Sequence, residues 1–244
     1  MSSKHVLYRG AVVLLLSWLP TNDPIASAIE NNTPMVTITR PATYGKFEWN
    51  SIVPYSITVV DHEDGNSAYD EIPIEQVLMS IRYLPDSSQL RNYLRVESRV
   101  YQDVLLQMSA TTCFNCHQMK SKLIGPSFES ISKKYSNTEA SVLSLTDKVI
   151  KGTTGIWGDT QMPPHPDLKP DRVQQIVRWI LKNGADPNQD HIRGVEGTFR
   201  TREKPTGTEK GVYVLTASYA DTGDKITLES RKVGHHSVVL KSKY

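Results

Sequence analysis

With 244 residues, the chain is long enough for one or two domains, each burying its own core. Its 28 Lys and Arg against 26 Asp and Glu leave a net charge of +2, so no bulk electrostatic argument favours nucleic acid. At 38% hydrophobic and 22% charged, the composition is that of a soluble globular protein. Two cysteines exclude a disulfide framework and a four-cysteine zinc site.

Lys4 and Arg9 precede an apolar run over residues 11–19, and Ala26-Ser27-Ala28 offers small residues for cleavage. Residues 1–28 therefore read as a signal peptide and the protein as exported. The run is short for a bilayer span, which disfavours the alternative of an uncleaved membrane anchor.

Residues 34–84 are rich in β-branched and aromatic side chains. Val36-Thr37-Ile38-Thr39, Tyr55-Ser56-Ile57-Thr58-Val59 and residues 77–83 predict strands, separated by a turn from Pro41 to Gly45 and an acidic loop over residues 61–66. Asp61, Glu63, Asp64 and Asp70 offer oxygen ligands that suit calcium, although their spacing is not that of an EF-hand and an acidic turn is the favoured reading.

Residues 96–186 carry a helical pattern. Val100, Val104 and Met108 recur at four-residue steps, Phe128, Ile131 and Tyr135 form a second stripe, and Val142, Leu145 and Val149 a third. Val173, Ile176, Val177, Ile180 and Leu181 make the clearest stripe, opened by Pro170 after the poor cap Lys169 and closed near Gly184. Strand patterns return over residues 211–219, 225–228 and 238–240.

About seven strands suit an immunoglobulin-like sandwich built from residues 30–90 and 205–244. The expected fold is thus α + β and multidomain, with a helical domain over residues 96–186 inserted in, or flanked by, a β-sandwich. A separate, partly disordered tail is the alternative.

Cys113-Phe114-Asn115-Cys116-His117 carries the chemistry. Two thiols at this spacing can add across haem vinyl groups, while the adjacent imidazole takes one axial site on iron. The competing reading is a disulfide beside an incidental histidine. For the second axial site, Met119 is too close to His117 to reach the opposite face of a haem, leaving Met162, His165, His191, His235 and His236. Met162 lies in Gln161-Met162-Pro163-Pro164-His165-Pro166, whose prolines exclude helix and stiffen the segment, so it is the expected ligand. His165 is the runner-up, and a packing role for Met162 is the alternative.

Five landmarks occur in order: the CxxCH motif, Gly125-Pro126-Ser127-Phe128, Gly155-Ile156-Trp157-Gly158, Met162-Pro163-Pro164 and Ile176-Val177-Arg178-Trp179-Ile180. In these, residues 96–186 resemble the class I c-type cytochromes, of the small bacterial monohaem kind. The resemblance implies about four helices around one covalent haem c. Thioethers would form at Cys113 and Cys116, with His117 as proximal ligand and Met162 as distal ligand. It also implies a Pro126 carbonyl accepting a hydrogen bond from His117, haem attachment outside the cytoplasm, and a Trp157 side chain near a propionate. On residue type alone, Trp157 and Trp179 are equally well plain core aromatics. Trp49-Asn50, Val53-Pro54-Tyr55, residues 59–65 and residues 213–217 are similar to immunoglobulin-like modules of the polycystic-kidney-disease type.

The function expected from this pattern is a periplasmic one-electron carrier, not an enzyme. A sugar dehydrogenase or another periplasmic dehydrogenase would be the donor, and an oxidase or a second cytochrome the acceptor. Lys120, Lys122, Lys133 and Lys134 could steer an acidic partner. Two alternatives remain: a haem-based sensor or peroxidase with a labile distal ligand, and a haem-bearing module whose β domain docks weakly to carbohydrate or protein. No motif for nucleic-acid binding or hydrolysis stands out.

Overall fold

A computed structural model describes residues 31–207, 211–223 and 231–243, and for residues 96–102 the backbone alone. The expected signal peptide, the strand pattern over residues 225–228 and the Val100 side chain therefore lie outside the described residues.

The first strands are β1 (Met35–Arg40), β2 (Lys46–Phe47), β3 (Ile52–Asp61), β4 (Gly65–Asn66) and β5 (Leu78–Leu84). Helical structure follows in α1 (Leu90–Asn92), α2 (Ser98–Ala110), the single turn α3 (Cys113–Cys116), α4 (Phe128–Lys134), α5 (Glu139–Lys151) and α6 (Pro170–Asn183). The chain then returns to strands: β6 (Gln189–Arg193), β7 (Glu196–Arg200), β8 (Val212–Ala220) and β9 (Val233–Ser242).

These strands form two sheets. In the first, β3 is central, with β1 on one side and β4 and β7 in tandem on the other, while the second runs β2-β9-β8-β5-β6. Period-two alternation sets the inner faces. Tyr55, Ile57 and Val59 of β3 meet Met79, Ile81 and Tyr83 of β5 and Leu215, Ala217 and Tyr219 of β8 in one apolar core. The helical region is flanked by strands from both ends of the chain, as the patterning predicts. β6 and β7 had no strand signature, because each buries a single residue, Gln189 and Phe199 respectively.

The second sheet is buried on both faces. Leu78 packs with Leu105, Met108, Phe114 and Trp179 of the helical layer, and Leu84, Val212, Val214 and Val239 cover Tyr93. That is why eight of the nine residues of β8 are buried. The four principal helices follow the sequence stripes. Ser127 Oγ caps α4 by accepting from the Ser130 amide at 3.0 Å, and Thr138 caps α5. Lys169 gives α6 no side-chain cap, and Pro170 occupies the first turn. Gly184 ends α6 with an ordinary right-handed φ of −58°. Its lack of a side chain serves close approach instead, since a Cβ there would lie 2.5 Å from the Phe128 carbonyl oxygen.

His191 sits between sheet and helices. Its Nδ1 is 3.1 Å from Ser80 Oγ, its ring is 5.5 Å from that of Trp179, and its Nε2 is buried without a protein hydrogen-bond partner. Lys120 pairs with the neighbouring Asp190 at 3.0 Å, and Arg82 pairs with Asp186. Burial pushes the imidazole down to about 4, with Lys120 and Arg82 adding to the effect and Asp190 opposing it. The unfolded chain takes up this proton near pH 6.5, whereas the folded one resists until about pH 4, so His191 favours folding above pH 6.5 and that contribution is lost on acidification. Acid titration of unfolding free energy should show a loss of up to about 3 kcal/mol between these limits. His191→Gln should flatten that segment, and an unchanged slope would remove the assignment.

Candidate functional site

The CxxCH turn starts from a strained residue. Thr112, at φ 63°, adopts the left-handed conformation that turns the chain from α2 into α3, and the Thr111 hydroxyl is tied back to the Gln107 carbonyl at 2.7 Å. Cys113 and Cys116 stand one turn apart as free thiols, and the His117 amide closes the turn on the Cys113 carbonyl at 3.0 Å. Burial pushes the Cys113 thiol up, partly offset by its contact with Thr111, so it stays protonated at neutral pH.

The next ten residues are laced back onto this turn. The Gly125 amide donates to the Cys116 carbonyl at 2.8 Å, and the Phe128 amide donates to Gln118 at 2.9 Å. This brings the Pro126 carbonyl to 2.6 Å from His117 Nδ1. A carbonyl only accepts, so Nδ1 carries the proton and Nε2 keeps the lone pair for a ligand. Burial lowers the imidazole pKa, with the Pro126 bond opposing and His165 reinforcing the shift. Phe128 stacks on the ring at 5.5 Å and an interplanar angle of 23°. Gly125 completes the cradle, since a Cβ there would lie 2.5 Å from His117 Cε1.

Met162 is held by a different device. Its amide and carbonyl exchange hydrogen bonds with Thr153 at 2.9 and 3.1 Å, an isolated antiparallel bridge beyond the end of α5. Gly152 permits the approach: it has φ +77°, and a Cβ would fall 2.8 Å from the Met162 carbonyl oxygen. The His165 amide returns the loop to Val149 and Ile150.

One cleft is lined by Cys113, Cys116, His117, Pro126, Trp157 and Met162 together. The rest of its wall is mainly apolar, including Ile131, Leu145, Val149, Ile156, Val173 and Val177. Two thiols, an imidazole with its outer nitrogen oriented by a carbonyl, a thioether and an apolar wall form a donor set that fits a covalently attached haem.

The other candidates disperse. His165 also lines the cleft. Met119 is 4% exposed and packs in the core with Phe114 and Phe128. His191 faces the sheet, His235 is exposed on β9, and His236 Nδ1 accepts from the Ile38 amide. Trp179 is a core aromatic, whereas Trp157 lines the cleft with the Lys134 ammonium 4.7 Å from its ring centre.

The acidic loop uses its carboxylates internally. Asp61 accepts from the Glu63 and Asp64 amides, Glu63 accepts from Asn32, and Asp64 accepts from Tyr219 and Thr222. No metal-binding group of three or more His, Cys, Asp or Glu exists among the described residues, so the calcium alternative finds no ligand set there. Of the four lysines, Lys120 pairs with Asp190, Lys133 with Glu129, and Lys134 covers Trp157. Sequence pattern carried no sign of three further contributors: Gly152, Thr153 and Arg193. Arg193 reaches the CxxCH turn from β6.

Residues 106–184 match the model of the cytochrome c family. Cytochrome c-552 of Hydrogenobacter thermophilus is 36% identical over 69 residues, 28% of this chain and 69% of that protein. Cytochrome c-551 of Pseudomonas denitrificans is 32% identical over 72 residues, 30% of this chain and 87% of that protein. The crystal structure of wild-type Nitrosomonas europaea cytochrome c552 aligns at 29% identity with a TM-score of 0.30, covering 33% of this chain and 95% of that one. Through this central region the chain belongs to the cytochrome c family, and its domain is similar to the small class I cytochromes c-551 and c-552.

Gly125→Ala should push the His117 ring off Pro126, because Phe128 and the Pro126 bond leave the ring little room to yield. Thermal unfolding should register a loss of about 1–3 kcal/mol. Gly155→Ala meets no atom within 4 Å and strains only the backbone at φ +86°, so it should cost about 1 kcal/mol. Equal effects would mean that crowding of His117 is not the cause.

Proposed function

We propose that the protein is an exported, periplasmic one-electron carrier with a single haem c. In this reading Cys113 and Cys116 carry the thioethers, and His117 and Met162 are the axial ligands. The observation that carries it is the convergence of both thiols, a His117 whose Nδ1 is committed to Pro126, and a backbone-pinned Met162 on one apolar cleft. Bound there, the haem supplies an iron that takes up and returns one electron.

The chain's own residues prepare the site. Pro126 fixes the imidazole tautomer and makes Nε2 the better donor. The Thr153 bridge holds the Met162 backbone against drift, and thioether ligation favours the reduced state. The apolar wall limits water. In this reading Trp157, which lines the cleft with the Lys134 ammonium over its ring, would lie near a propionate. No side chain need act as nucleophile or base, so electron transfer rather than turnover is the task assigned.

For its organisation, we take residues 1–28 as a signal peptide, residues 96–186 as the haem domain, and residues 30–90 with 205–244 as one immunoglobulin-like module, β6 and β7 extending it. A sugar dehydrogenase or another periplasmic dehydrogenase is the proposed donor, and an oxidase or a second cytochrome the acceptor. Leu123 and Ile124, 45% and 53% exposed, stand near the cleft and offer a small apolar patch for transient docking.

A pyridine haemochrome spectrum of the purified protein should give one haem with two thioether links per chain, and its absence would sink the reading. The ferric protein should show the sulfur–iron band near the red end of the visible spectrum. Met162→Ala should abolish that band and open the ferrous protein to carbon monoxide. A band that survives in Met162→Ala would count against Met162 as the ligand, and strong carbon monoxide binding by the native protein would instead favour the labile-ligand sensor or peroxidase.

The internal pairing of Lys120 and Lys133 bears on steering. With two of the four ammonium charges neutralised in place, electron-transfer rates with an acidic partner should fall only modestly as ionic strength rises. A steep fall, measured by stopped flow, would restore the four-lysine patch.

A further inference from the structure

The haem-attachment turn is gripped from outside its own domain. At the end of β6, opposite Leu78 in the ladder, Arg193 donates from Nη1 to Asn115 Oδ1 at 2.7 Å and from Nη2 to the Phe114 carbonyl at 2.9 Å. Its direction is set by the sheet, because the following Gly194, at φ +118°, donates its amide to the Val77 carbonyl at 2.9 Å. Phe114 and Asn115 are the two residues that a CxxCH motif leaves unspecified. Here both are committed to the β domain.

The contact continues inward. The guanidinium lies 5.9 Å from the Phe114 ring centre, Phe114 meets Phe128 edge-on at 5.8 Å, and Phe128 stacks on His117. Each side chain in this series is a flat group whose rotation the next one limits. A planar fork making two directed bonds suits such a task better than a lysine's single rotatable ammonium. Among the described residues no carboxylate pairs with Arg193, since the nearby Asp190 is taken by Lys120.

We propose that Arg193 is a positioning residue through which the β domain fixes the haem-attachment turn and places a permanent positive charge beside it. This rests on the haem reading above. A fixed cation disfavours the more positive, oxidised state of the site, so Arg193 raises the reduction potential as well as stiffening the turn. The β domain is then part of the redox site's construction and not a tether.

The test uses the full-length haem-loaded protein and two readouts: amide hydrogen exchange over residues 113–117 and the midpoint potential. Arg193→Gln should speed exchange at the His117 amide by about tenfold or more and lower the potential. Arg193→Lys, which keeps the charge but loses the fork, should speed exchange while holding the potential. Asn115→Asp, at an exposed position, should keep exchange slow and lower the potential, because its carboxylate neutralises the guanidinium it binds.

Native exchange and native potential in Arg193→Gln would overturn the proposal, as would native exchange in Arg193→Lys. If Arg193→Gln does not fold, an unchanged potential in Asn115→Asp overturns the electrostatic claim. A chain without covalent haem fails the haem reading alone, and the exchange comparison still tests the grip.

Discussion

A sheet with two buried faces is the constraint on which the rest of this structure depends. β5 and β8 turn one row of side chains, Met79, Ile81, Tyr83, Leu215 and Ala217, toward the first sheet. They turn the other row, Leu78, Leu84, Val212 and Val214, toward the helical layer. A strand solvated on one side tolerates polar residues at every second position, but β8 has no such freedom, so Thr216 and Ser218 are buried within it. Thr216 answers this by hydrogen bonding to Ser237 on β9 at 2.8 Å. Without the helical layer, the outer face of this sheet would be a large apolar surface.

The same arrangement decides how the haem-binding region is built. A helical domain of this size has a small core, and here Leu78 of the sheet enters the cluster that contains Phe114, Phe128 and Trp179. Two of those aromatics lead to the imidazole: Phe128 stacks on it, and Phe114 braces Phe128. The site thus takes its rigidity from two sources. Local backbone hydrogen bonds place Pro126 and Met162, and packing against the sheet limits how the turn itself can move.

Legibility in the sequence followed how local each determinant was. The helical stripes recur at a regular period and β1, β3, β5 and β8 are rich in β-branched and aromatic residues, and the structure has each of these elements, with β3 starting three residues before its expected strand and β5 and β8 shifted by one residue. β6 and β7 were illegible because an edge strand with one buried residue has no period to read. At the site, CxxCH, Gly125-Pro126 and Met162 are contiguous motifs, and each lines or cradles the cleft. Gly152 and Thr153 act through backbone atoms, which side-chain pattern does not encode. Arg193 lies 78 residues beyond Asn115, so only the fold brings them together. Two of the four lysines that lie close in sequence, Lys133 and Lys120, pair with Glu129 and with the distant Asp190, and the second contact is again one that only the fold brings together.

The insertion point explains how two architectures coexist in one chain. The helical segment leaves the sheet after Leu84 and returns where the Tyr83 amide donates to the Asn188 carbonyl at 2.8 Å, next to the Arg82–Gln189 pair of the ladder. Closing an unstructured loop of about a hundred residues between neighbouring strands would cost several kcal/mol in chain entropy. A folded insert whose two ends already lie side by side removes most of that cost. The Asn183 and Trp179 bonds at the end of α6, together with the Arg82–Asp186 pair, hold the exit strand at the correct spacing. Pairing of β5 with β6 and β8 is therefore coupled to folding of the helical domain. The β module and the redox site then form one cooperative unit, although their sequences read as separate domains.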